Sequence, residues 1–128
     1  MYEDEYDIDA SDIDIPGVDA ALGSENYGGE MDMYIGALRS FATHIPAAAD
    51  ALSRVSGETL REYAAKVHGL KGSCAGIGAE DVRTMAEDLE GKARAEDLSG
   101  ILAGNEKLIG DTKRLVAGIQ AWLNEFDG

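Results

Sequence analysis

Cysteine occurs once, at Cys74, proline twice, and aromatic residues make up only 6% of the 128 positions. A single thiol closes no internal disulfide and builds no cysteine-rich zinc site, so a reducing setting is expected. With two prolines and few aromatics against abundant alanine, leucine and glutamate, the chain favours helices over strands. No apolar run approaches the roughly 18 residues of a membrane span, and the acidic start lacks the basic flank of a signal peptide. A cytoplasmic, unsecreted protein is the expectation. Bases are scarce too: 11 Lys+Arg against 25 Asp+Glu give a net charge of -14. Such a field repels phosphate backbones and anionic lipid heads, which excludes nucleic acid and membrane surfaces as natural partners.

The charge is uneven. Glu3, Asp4, Glu5, Asp7, Asp9, Asp12 and Asp14 fall in the first 14 residues with no base among them, a pattern that reads as a flexible tail or linker over 1–15 followed by one domain over 16–128. Within the domain, residues 15–23 suit a short helical turn with Asp19 near its start and Gly23 at its end. From Glu30 a helical pattern (Tyr34, Leu38, Phe41, Ala48, Leu52, Val55) runs past Pro46, predicting either a kink near Ile45 or two short helices in series. A third segment places Leu60, Tyr63, Ala64, Val67, Leu70, Cys74 and Ile77 at helical spacings, its end bracketed by Gly76 and Gly78. A fourth starts near Ala79-Glu80-Asp81, and a fifth runs from about Asp97 to Phe126. The connections are short, so neighbouring helices run antiparallel. The architecture expected is all-α, an up-and-down four-helix bundle with a short extra N-terminal helix.

The third helix contains HGLKGSCAG (68–76), with glycines at 69, 72 and 76. An interior glycine costs roughly 1 kcal/mol relative to alanine, and a passive surface is better filled by Ala, Glu, Lys or Gln. At about 100° per residue, His68 lies roughly 120° from the centre of the apolar arc. Around it stand Ala64, Ala65, Gly69, Gly72, Ala75 and Gly76, a nearly bald surface. Lys71, at i+3, is a neighbour on that face. A neutral imidazole nitrogen is a nucleophile, and a lysine beside it disfavours the imidazolium and can hold a phosphoryl group by a charge-assisted hydrogen bond. Most exposed histidines do nothing; here the glycines and Lys71 argue otherwise. Cys74 falls on the apolar arc as a core residue, and His44, beside Ile45-Pro46, reads as a helix-end residue. A carboxylate-bridged metal bundle needs Glu-x-x-His, but Phe41 and Ala65 stand three residues before the two histidines. A phosphate-binding loop needs the lysine after its glycines, and Lys71 precedes Gly72.

His68-x-Leu70-Lys71-Gly72-Ser73 followed by Gly76-x-Gly78-Ala79 resembles the signature of histidine-containing phosphotransfer (HPt) domains of bacterial phosphorelays, over residues 16–126. The resemblance implies that His68 is phosphorylated by a receiver-domain aspartate and passes the group to another receiver. It makes Lys71 the phosphate-side cation and Gly72 the small residue that admits the receiver. The family often carries Glu or Gln near the other ring nitrogen, and reflection of His68 through the turn at 78–79 makes Glu90 the candidate; an ordinary solvated acid is the alternative. Gly69 departs from the threonine or serine common in the family. The implied partners are response-regulator receiver domains and an upstream or attached histidine kinase, with Mg²⁺ on the receiver and no nucleotide, metal or other cofactor in this chain, which is expected to be a monomeric phosphotransfer intermediate and not an enzyme. A non-catalytic docking module and the phosphorylatable domain of a chemotaxis-type kinase remain alternatives.

Overall fold

Among residues 8–128, which the computed structural model describes, every regular element is helical: α1 (Ala20–Glu25), α2 (Met31–Ala51), α3 (Leu60–Ile77), α4 (Glu80–Arg94) and α5 (Leu98–Asp127), with short 3₁₀ turns at Ala10–Asp12 and Leu52–Arg54. The long helices α2 to α5 form a ring in which each packs on the two beside it. Connections of two residues after α3 and three after α4 force reversals of direction. Two ion pairs set α2 against α5 in the same sense: Arg39 meets Asp127 at 2.6 Å and Asp50 meets Lys113 at 2.9 Å, so the register falls along one helix as it rises along the other. The expected four-helix bundle with a short extra helix is the fold observed.

The apolar stripes meet as their spacing requires. Tyr34, Leu38, Val67, Cys74, Ile101, Leu108 and Ile119 are completely buried. Polar groups drawn into this core are paired, because an unmatched buried donor or acceptor costs about 1–3 kcal/mol. Tyr63 donates its hydroxyl to Asn105 Oδ1 at 2.6 Å, and Asn105 Nδ2 donates to the Leu52 carbonyl at 2.9 Å. That carbonyl closes the end of α2, so three helices share one polar junction.

Pro46 neither ends nor divides its helix. α2 continues through it to Ala51, which selects the single helix over two in series, and leaves His44 inside α2, not at an end. A proline lacks one donor and crowds one turn; here Ile45 and Ala49 on either side are buried against the core and hold the element together.

Two expectations at the N-terminal end also change. Gly23 does not end α1 but sits inside it, and a Cβ there would lie 2.3 Å from the Ile77 carbonyl oxygen. Asp19 is the cap, its carboxylate accepting from the Leu22 amide at 3.0 Å. The tail drawn over 1–15 is too long on its described part: Ile13 and Ile15 are buried, and Asp9 and Asp12 form a reciprocal capping box around the first 3₁₀ turn. Alternation of acids with isoleucines disguised an apolar anchor. Residues 1–7 lie outside the described residues.

α3 ends in a Schellman turn, with Gly78 at φ 84° and the Ala79 amide donating to the Cys74 carbonyl at 2.9 Å. The remaining carbonyls of its last turn are taken from outside: Tyr34 donates to Ile77 O at 2.7 Å, and Asn26 Nδ2 to Ala75 O and Gly76 O at 3.1 and 3.2 Å. The Asp19 amide in turn donates to Gly78 O at 2.9 Å. Gly23 is therefore a close-approach glycine, whereas Gly69 has open space where a Cβ would stand. Gly23→Ala should destabilise the protein by roughly 1–3 kcal/mol through overpacking, and Gly69→Ala should stabilise it by about 0.5–1 kcal/mol. Chemical denaturation of the two variants beside the wild type reads both signs.

Candidate functional site

At mid-α3 burial alternates sharply along the chain. Val67 and Leu70 point into the core at 0% and 3% exposure, and the His68 side chain between them is 61% exposed. Its Nδ1 lies 2.9 Å from Glu90 Oε2 on α4. Glu90 is the one acidic residue buried in the described core, 6% exposed. It is compensated from three sides: by His68 Nδ1, by Lys71 Nζ at 2.7 Å from Oε1, and by Arg94, whose Nη2 and Nε stand 2.6 and 3.1 Å from Oε2. The short α3–α4 turn sets this register, and the i,i+3 and i,i+4 spacings of Lys71 from His68 and of Arg94 from Glu90 do the rest.

The electrostatics follow from that geometry. Lys71 and then Arg94 hold the Glu90 carboxyl down at about 2, against the opposing effect of burial. At neutral pH Glu90 is thus ionised and can only accept hydrogen bonds. The hydrogen between it and His68 must therefore sit on Nδ1, and in the neutral ring Nε2 is left with its lone pair free. Burial pushes the Cys74 thiol up to about 12, so it stays protonated in the core, where the apolar arc placed it.

Of the six positions expected to form the bare surface, Ala65, Gly69, Gly72 and Ala75 are exposed and Gly76 is partly so. Ala64 is not among them. It is 7% exposed and belongs to the core, because at i−4 from His68 it turns toward the α3–α4 seam beside Ala93 and Arg94. A Cβ on Gly69 or Gly72 would meet nothing within 4 Å, and one on Gly76 only the Tyr27 hydroxyl at 3.8 Å. The fold itself has no need of these three glycines. They form one wall of a groove of about 650 Å³ whose other wall is α2, through Ala37, Ser40, Phe41 and His44. Met33, 55% exposed, stands at that groove as well.

Sequence reasoning missed two parts of this site. Arg94 was legible as an i+4 partner of Glu90 once Glu90 itself was chosen. The α2 wall was not, since nothing local in α2 marks which of its faces borders α3.

A small helical bundle that carries an exposed histidine on a bare helix face, with its Nδ1 held by a buried carboxylate, is a class of fold and site that a family comparison can place. The family follows from comparison: the family model described as Hpt domain matches residues 30–125, and the chain belongs to that family, whose domains serve histidine phosphotransfer in phosphorelays. The match takes in α2 to α5 and leaves α1 outside. Neither the curated proteins nor the solved structures yielded a significant match. No helix among the described residues is long and apolar enough to cross a membrane.

The depressed Glu90 carboxyl gives a pH signature. A folded-state value of about 2 against an ordinary value of 4.5 means that its stabilising contribution is complete above the ordinary value and is lost as the pH falls through the folded one. The stability of the wild type relative to Glu90→Gln should therefore fall as the pH drops from about 5 to about 2. Denaturation midpoints of the two proteins across that range check it.

Proposed function

We propose that His68 is the phosphoryl acceptor and donor of this domain, taking the group from a receiver-domain aspartyl phosphate and passing it to a second receiver. The observation that carries the reading is the His68–Glu90 contact at 2.9 Å on a ring that is otherwise 61% exposed: Nδ1 is occupied by an acceptor, and Nε2 faces outward as the nucleophile. In the forward step the Nε2 lone pair attacks phosphorus, the bond from phosphorus to the aspartyl oxygen breaks, and the aspartate leaves as a carboxylate. Nδ1 keeps its proton, so the ring becomes cationic and Glu90 lies against that new charge. The reverse step returns the group to an aspartate by the same path. Lys71 is the cation for the phosphoryl oxygens, and the surface of Ala65, Gly69, Gly72, Ala75 and Gly76 is where a receiver closes over the ring.

On this reading the chain is a phosphotransfer intermediate and takes no nucleotide or cofactor of its own; the Mg²⁺ acids belong to the receiver. Its partners are receiver domains and an upstream or attached histidine kinase, its setting the cytoplasm, and its working form a monomeric domain. Glycines that the fold leaves unneeded, beside the one exposed imidazole held by a buried acid, support this over a passive docking role.

Incubation with a phosphorylated receiver should place acid-labile, base-stable label on the wild type and none on His68→Gln. Equal label on both, or none on the wild type, overturns the reading. Label that appears only with ATP and a separate kinase catalytic domain would assign the chain to chemotaxis-type kinases instead. Gly72→Leu should slow transfer on the order of ten- to a hundredfold by displacing the partner, with a stability change of less than about 1 kcal/mol. Transfer kinetics and a thermal melt on the same preparation separate the two effects.

A further inference from the structure

The buried carboxylate has more positive charge around it than it needs. Glu90 brings one negative charge, and Lys71 and Arg94 bring two positive ones, both within ion-pair distance. The two cations are not equivalent. Arg94 grips Oε2 through two nitrogens, at 2.6 and 3.1 Å, from one turn further along Glu90's own helix. Lys71 touches Oε1 through a single ammonium at 2.7 Å, from the helix that carries His68. They also stand on opposite sides of the histidine along the α3–α4 seam: Lys71 lies one turn beyond His68, and Arg94 lies at the level of Arg61 and Ala64, one turn and more before it.

When a phosphoryl group arrives on Nε2, Lys71 has two anions to serve. Leaving Glu90 without compensation is costly, because truncating one side of a buried ion pair strands its partner in a medium of low polarity. We propose that Arg94 is a positioning residue for phosphotransfer: it keeps the Glu90 carboxylate neutralised and in place, so that Lys71 is released from Oε1 to the incoming phosphoryl oxygens. The proposal rests on His68 being the acceptor. Lys71 moves from carboxylate to phosphoryl, Arg94 stays, and Glu90 continues to hold Nδ1 through the transfer. Arg94 never touches the phosphoryl group. Its side chain is 62% exposed, so its removal leaves the core packing unchanged.

This mechanism predicts coupling between two residues that do not touch the same oxygen. Phosphoramidate serves as the phosphodonor, so that no partner protein enters the measurement: its P–N bond breaks, ammonia leaves with the bonding pair, and Nε2 bonds phosphorus. Initial labelling rates are taken for the wild type, Arg94→Gln, Lys71→Met and the double variant, with thermal melts to show that all four are folded. Arg94→Gln should slow labelling roughly five- to tenfold when Lys71 is present and less than about twofold in the Lys71→Met background. Arg94→Lys, which restores the counter-charge, should recover most of the rate. An Arg94→Gln effect of equal size in both backgrounds, or no effect in either, overturns the proposal while leaving His68 as the acceptor. A wild type that takes no label on His68 overturns the acceptor assignment and this inference with it.

Discussion

One carboxylate governs the site. Glu90 is almost fully buried yet ionised, and a buried charge survives only if donors surround it. Two of its partners, His68 and Lys71, come from α3 and the third, Arg94, from its own helix, and they meet at the register that the short α3–α4 turn sets. The same contact decides which nitrogen of His68 carries the proton. Position and protonation of the imidazole are thus consequences of a single solvation requirement, met by residues that are otherwise ordinary members of helical i,i+3 and i,i+4 pairs.

The glycines divide into two kinds with opposite energetics. Gly23 and Gly78 are needed by the fold: a Cβ on either would strike a backbone carbonyl at 2.3 or 2.2 Å. Gly69 and Gly72 border open space, so their cost in helix stability has no internal compensation. The protein tolerates that cost because α3 is held by tertiary packing of its apolar stripe and not by propensity. A helix whose stability comes from one face is free to be stripped on the other, and on the proposed reading that freedom is what the docking surface uses.

Much of this was legible in the chain. The bounds of α3 follow from the spacing of Leu60 to Ile77 and from Gly78, and the position of Glu90 follows from a two-residue turn, because antiparallel helices with a short connection have little freedom of register. Ala64 was misplaced because a wheel measures angle from one apolar arc and does not know that α4 packs on the flank of α3. The tail boundary was misplaced because charge counting gave equal weight to Asp9 and Asp12, which cap a turn, and to the acids before them, and overlooked Ile13 and Ile15. The unbroken path of α2 through Pro46 depends on contacts from other helices, which no local rule contains. Nor does local sequence say that Lys71, marked as a phosphate ligand, lies against Glu90.

The segment ahead of the family match bears on all of this. Asp19, Gly23 and Asn26 come from residues outside the matched region, and with Tyr34 they occupy the backbone at the end of α3. A glycine-rich helix is the kind that frays first, losing its last turns to solvent. Here the terminus nearest the glycines is clamped, as a beam is built into a wall, by hydrogen bonds from Asp19, Asn26 and Tyr34. The short leading helix is thus less an ornament on the bundle than an abutment for the end of α3.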